Sequence, residues 1–278
     1  MSLYITSLNS GSNGNCYYIG TNKEAVLIDA GISCRETEKR MKRLGLSMSA
    51  VKAIFVSHEH ADHISGIRVL SKKHQLPVYI TTATLRSAGF IVEKNLLRYF
   101  TADQPVTIDG LTVTAFSKFH DASDPHSFMV SSAGINIGVF TDIGNCCDRV
   151  IAHFKLCNAA FLEANYCENM LMNGSYPYIL KKRISSDNGH LSNAQALELF
   201  TKYRSGQLSH LILSHLSKNN NTPELVDQLF RQQAGSTKII VASRYEETPV
   251  FHIEEDNNEV GQSKENHLQS AQLQLSLF

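Results

Sequence analysis

At 278 residues the chain exceeds the common single-domain size but stays within what a two-sheet α/β architecture folds around one continuous core, so one large domain is expected. Lys plus Arg and Asp plus Glu number 26 each, which excludes a global positive field as the source of nucleic-acid affinity; any DNA or RNA must be held locally. The opening MSLYITSL lacks the pattern of a secretory signal, no window approaches the roughly 20 apolar residues of a bilayer span, and the six Cys read as reduced thiols, so a cytoplasmic protein with no membrane partner is expected.

In chain order, LYITSL, the Gly-rich turn NSGSNGN, CYYIG and EAVLIDAG predict an antiparallel opening meander. SCRETEKRMKRLGL predicts an amphipathic helix ending near Gly45, followed by the buried strand AIFVS and a helix from about Asp62 to His74. The segments VYIT, VTID, LTVTAF, SFMVSS and INIGVFTD predict a strand-rich middle, with a tight turn at Asp109-Gly110. Thereafter helices near Cys146–Leu156, Glu168–Lys181 and Ser192–Tyr203, and one from Thr222, alternate with the strands AAFLEA, SHLILS and KIIVA. The adjacent Cys146 and Cys147 read as packing residues at a helix start. Two β-rich blocks with helices, each polar cluster just after a strand, predict two stacked sheets flanked by helices over 1–253. From about Glu254 the composition turns polar, which predicts a flexible tail over 254–278.

The densest chemistry lies in His58-Glu59-His60-Ala61-Asp62-His63. His58 and His60, at i and i+2 beyond a buried strand, can point to one side and share one ion; Asp62 and His63, where the chain turns into a helix, can face a second. The remaining ligands are expected from later strand ends: His120 in FSKFHDAS, Asp142 in GVFTDIG as a bridge between two ions, and His215 in LILSHLS. His126 competes with His120, which is preferred because it follows the strand end directly. His and Asp donors suit Zn or Mn equally.

This order of motifs resembles the metallo-β-lactamase superfamily, whose fold is a four-layer αββα sandwich of the α/β class. The resemblance runs from about Ser7 to Ala242 and implies that Asp29 in LIDAG supports the metal loop without binding metal. Within the superfamily, SLNSGSNGN, FHDASDP, TDIG, LEANY, GHLSN and SHLSKNNN are similar to the YycJ/WalJ group, described as 5′ to 3′ DNA exonucleases. The group does not lead one to expect a His at position 126. The implied activity is hydrolysis of DNA phosphodiesters with two divalent ions, which lower the pKa of a water and clamp the phosphate oxygens. Catalytic roles fall to Asp62 in the metal loop and to His190 in DNGHLSN, the latter by likeness to related phosphodiesterases that carry a general-acid His in this region. Lys181, Lys182 and Arg183 form a local basic cluster that could hold flanking phosphates.

The last five residues, Gln274-Leu275-Ser276-Leu277-Phe278, resemble the peptide by which bacterial replication and repair proteins bind the DNA sliding clamp; Gln274, Leu275, Leu277 and Phe278 would make the contacts. Metal site and tail together imply a nuclease of DNA repair or replication. The rival readings are a small-molecule phosphodiesterase and, from another class, a non-catalytic clamp-binding repair partner.

Overall fold

The computed structural model describes residues 2–89 and 92–254. Two seven-stranded sheets organise them. The first contains β1 (Ser2–Asn9), β2 (Cys16–Gly20), β3 (Ala25–Ile28), β4 (Val51–Phe55), β5 (Val78–Ile80), β6 (Leu97–Tyr99) and β14 (Phe251–Glu254) in the order β14-β1-β2-β3-β4-β5-β6. The second runs β13-β12-β11-β10-β9-β8-β7, built from β7 (Pro105–Ile108), β8 (Leu111–Ser117), β9 (His126–Ser132), β10 (Ile135–Phe140), β11 (Ala159–Glu163), β12 (His210–Ser214) and β13 (Lys238–Val241). In each sheet an antiparallel meander passes into parallel strands: β3 to β6 in the first, β10 to β13 in the second.

The helices lie outside: α1 (Cys34–Arg43), α2 (Ala61–Ile64), α3 (Ile67–His74) and α4 (Thr82–Ser87) follow strands of the first sheet, and α5 (Asp148–Phe154), α6 (Glu168–Asn173), α7 (Tyr178–Ile184), α8 (Asn193–Tyr203) and α9 (Pro223–Arg231) those of the second. One core joins the facing sheet surfaces, with Ile5, Val26 and Phe55 against Val113, Phe128 and Phe161. Phe55 meets Phe128 edge-on at 5.8 Å, and Tyr17 meets Phe161 at 4.9 Å. A second core packs the outer face of the first sheet on Met41, Ile67 and Leu70, and a third packs the other sheet on Phe154, Phe200 and Phe230. The arrangement is the expected αββα sandwich. Strands β4, β11 and β12 are covered on both faces, which is why they read as unbroken apolar runs.

Several boundaries differ from expectation. The helix expected over Asp62–His74 is two, α2 and α3, because Gly66 is pressed against the segment after β3: a Cβ there would lie 1.9 Å from the Ile32 carbonyl oxygen. The helix expected over Glu168–Lys181 breaks into α6 and α7 at Gly174 and Pro177, since proline cannot donate the next helical bond. The three-residue β6, short α4 and edge strand β14 were not anticipated. The Asp109-Gly110 turn joins β7 to β8 as expected, and Cys147 caps α5. All six cysteines are free thiols. The expected tail and its terminal peptide, residues 255–278, lie outside the described residues.

Candidate metal centre

The parallel strands of both sheets end at one edge, and the polar groups named above follow those ends. Asp29 comes just after β3, His58 shortly after β4, Asp142 after β10 and His215 after β12, while Glu163 is the last residue of β11. Asp29, Asp142 and His215 adopt φ of 60°, 55° and 56°. Left-handed backbone at a non-glycine residue is uncommon and concentrates at functional sites. Here it ends each strand abruptly and leaves the side chain at the edge.

Two groups of donor atoms meet there, each group within 4.8 Å of one another: His58, His60 and His120 in one, Asp62, His63 and His215 in the other. His60 Nδ1 lies 3.1 Å from His58 Nε2 and 3.4 Å from His120 Nε2. Asp62 Oδ2 is 3.6 Å from His63 Nε2 and 3.4 Å from His215 Nε2. Asp142 stands between the groups, with Oδ2 3.0 Å from His63 Nε2 and Oδ1 3.3 Å from His215 Nδ1 and 3.9 Å from His120 Nε2.

A surrounding layer fixes these side chains. Asp29 is fully buried, accepts from the Ser57 amide at 2.8 Å and the Ser57 hydroxyl at 2.7 Å, and holds His63 Nδ1 at 2.7 Å. His120 Nδ1 donates to the Gly189 carbonyl at 2.9 Å, leaving Nε2 facing His60. Asn15 donates to Asp62 Oδ2 at 3.1 Å. Glu163, also fully buried, accepts from His190 Nδ1 at 2.8 Å and His215 Nδ1 at 2.9 Å, and from the Ile143 amide at 2.8 Å. Ring nitrogens held by an outer carboxylate or carbonyl are the usual support of a metal-binding imidazole.

Electrostatics divide the histidines. Burial holds His58 well below the ordinary imidazole range and lowers His120 to about 4, so both present lone pairs. Burial opposes charge on His63 and His215 too, but Asp142 with Asp29 lifts His63 to about 10, and Asp142 with Asp62 lifts His215 well above its usual value. Against its own burial, Asp142 is held ionised by His215 and His63, and Glu163 is brought down to about 2 by His190. The edge thus concentrates carboxylates that require positive charge. Asp142 Oδ2 and His215 Nε2 are buried without a hydrogen-bond partner among the described residues, although polar atoms in such places are ordinarily satisfied. Imidazole and carboxylate donors, two of them orphaned, fit divalent cations.

The structure therefore brings together His58, His60, Asp62, His63, His120, Asp142 and His215, with Asp29 behind His63 and His190 at the rim. His126 is apart: its Nδ1 bonds the Asp124 carbonyl at 2.9 Å and its ring packs edge-on against Phe100. Of the basic cluster, Lys181 donates to the Met172 carbonyl at 2.7 Å and Arg183 pairs with Asp121, the neighbour of His120; both lie on α7 with Lys182. Three residues escaped notice in the sequence: Glu163, Asn15 and Lys118. Glu163 stood in a quoted motif, LEANY, without a spacing cue. Lys118 is fully enclosed, which lowers its pKa, and its ammonium donates to the Thr141 carbonyl at 2.5 Å beside Asp142.

Comparison with known proteins gives three consistent results. The model of the beta-lactamase superfamily domain matches residues 24–216. The chain is 35% identical to exodeoxyribonuclease YycJ of Bacillus anthracis over 81% of this chain and 86% of that one, and 31% identical to exodeoxyribonuclease WalJ of Streptococcus pneumoniae over 82% and 88%. Among solved structures, the metallo-β-lactamase fold protein YhfI from Bacillus subtilis superposes with a TM-score of 0.70 over 91% of this chain and 100% of that one, at 16% identity.

Proposed function

Because the chain belongs to the metallo-β-lactamase superfamily, we propose that it hydrolyses DNA phosphodiesters, as a 5′ to 3′ exonuclease of repair or replication. The observation that supports this most is the pair of donor groups sharing Asp142, with His190 held at their rim by Glu163. His58, His60 and His120 would hold one ion, and Asp62, His63 and His215 the other, with Asp142 between them. Two divalent cations, Zn or Mn, would supply an activated water at neutral pH and positive charge for the phosphate oxygens. Asp29 fixes the His63 ring, and Asn15 orients Asp62. Glu163 accepts a hydrogen bond from His190 Nδ1–H, which turns Nε2–H outward, where it would give its proton to the departing alkoxide oxygen while the Nδ1 proton stays on the ring. Lys181, Lys182 and Arg183 would steady backbone phosphates further along the strand. The names of the YycJ and WalJ relatives support DNA as substrate, and six free thiols support a cytoplasmic setting.

The test is hydrolysis of end-labelled linear DNA by the protein with added Mn or Zn, with His60→Ala as control and a simple phosphodiester alongside. Metal-dependent shortening from the 5′ end, lost in the variant, is expected. Cleavage of the simple diester alone would move the substrate to a small molecule. The C-terminal peptide at Gln274, Leu275, Leu277 and Phe278 would deliver the enzyme to the DNA sliding clamp. Deleting residues 275–278 is expected to abolish co-migration with purified clamp while free DNA is still degraded; an equal fall in both would refute the tether.

A further inference from the structure

A cavity of about 340 Å³ opens beside the metal centre, within the size range of small-ligand sites. It is formed where β1, β12 and β13 end, at the same edge as the donor groups. Ser10 lines it and accepts, through its hydroxyl, from the backbone amide of His215 at 2.7 Å. Leu216, the next residue, and Val241 give it apolar wall, and Lys218, Arg244 and Tyr245 stand around it. The Arg244 guanidinium donates to the Ser12 hydroxyl at 2.9 Å, and neither cation has a carboxylate partner among the described residues. Tyr245 is 72% exposed, yet its backbone is anchored. The buried Arg40 donates to the Tyr245 carbonyl at 2.8 Å while also bonding the Leu8 carbonyl at 2.7 Å and Asn9 Oδ1 at 2.8 Å.

Resting on the nuclease reading above, we propose that this cavity is a subsite for one nucleotide of a single-stranded DNA substrate, adjoining the scissile phosphate. A nucleotide has the two faces the cavity offers: a flat base, which gains by stacking on an aromatic ring over an apolar wall, and a phosphate, which gains from unpaired cations. Tyr245 supplies the platform, and Arg40 anchors the backbone that carries it, so the main chain needs no ordering on binding. Lys218 and Arg244 supply local positive charge that a chain of zero net charge lacks overall. Continuity with His215 makes a nucleotide held here a neighbour of the phosphate at the ions.

The experiment compares wild type, Tyr245→Ala, Tyr245→Phe and Lys218→Ala, all metal-loaded, on a single-stranded oligonucleotide and on bis(p-nitrophenyl) phosphate, and measures binding of dAMP by calorimetry. Tyr245→Ala is expected to reduce the selectivity for oligonucleotide over small diester roughly 5- to 100-fold through KM, with Phe restoring it. Lys218→Ala is expected to lower the slope of log KM against log salt by about 1. Tyr245→Ala should also weaken dAMP binding. If wild type cleaves the oligonucleotide and neither selectivity nor dAMP binding responds to Tyr245, the subsite is refuted while the nuclease reading stands. If dAMP binds in a Tyr245-dependent manner but no oligonucleotide is cleaved, the nuclease reading fails and takes the DNA-strand subsite with it, leaving a site for a free nucleotide. Absence of both cleavage and dAMP binding would remove both.

Discussion

Glu163 accepts more hydrogen bonds than any other carboxylate at the site: Oε1 serves two imidazoles, and Oε2 accepts from the amides of Ile143 and Leu191. A carboxamide cannot replace it, because the NH₂ group must confront either the two ring N–H groups or the two amides. Glu163→Gln is therefore expected to lower activity or metal affinity about 10- to 100-fold, a range typical of groups that support metal-binding residues. Steady-state kinetics together with metal content would check it; wild-type values for both would mean that His190 and His215 are oriented by something else. The residue was invisible in the sequence because its partners lie 27 and 52 positions away, whereas the His58–His63 cluster declares itself within six consecutive residues. Which of His120 and His126 lies beside the His58–His63 loop is visible only in three dimensions, where the His120 ring faces His60.

Among the elements, the metal loop depends on a glycine outside it. A Cβ on Gly31 would lie 1.7 Å from the Asp62 carbonyl oxygen, so the loop and the residues after β3 touch backbone to backbone, with the Asn15 amide donating to that same oxygen at 2.6 Å. Gly31→Ala is expected to push Asp62 and His63 out of register and to cost roughly 1–3 kcal/mol, as overpacking does. Gly206 has open space at the corresponding position, so Gly206→Ala should stay within about 0.5 kcal/mol of wild type. Thermal unfolding of both variants separates these outcomes, and equal stability would show that the loop can yield. Elements with long apolar runs, such as β4, β11 and β12, were legible because burial on both faces leaves a composition signal. The break within the helix expected over 62–74 was not, since periodicity continues across a glycine pressed on a distant carbonyl, whereas Gly174 and Pro177 do mark the break within 168–181. β6 and β14 are edge strands of three and four residues, too short for alternation to be read.

On the scale of the whole molecule, the donor residues come from both sheets: His58, His60, Asp62 and His63 from the loop after β4, and His120, Asp142 and His215 from the second sheet's side. Ions bound between them would link the two halves of the sandwich, and only the folded chain assembles that set. At free metal 1,000 times the dissociation constant, such linkage contributes about 4 kcal/mol, which for a fold of this size raises Tm by about 8–16 °C. Scanning fluorimetry after exhaustive chelation and after Zn or Mn addition would show it; an unchanged Tm would refute binding across the sheets. The pairing of β1 with β14 fixes where the described chain ends relative to the donor groups. Ser2 lies opposite Glu254, and β1 then runs ~23 Å to Asn9, next to Ser10 at the metal edge, at ~3.3 Å per residue. Strand β14 thus ends at the pole of the sandwich remote from the donor groups. A bulky fusion placed ahead of Ser2 would therefore crowd that pole and leave the edge that carries the donor groups open.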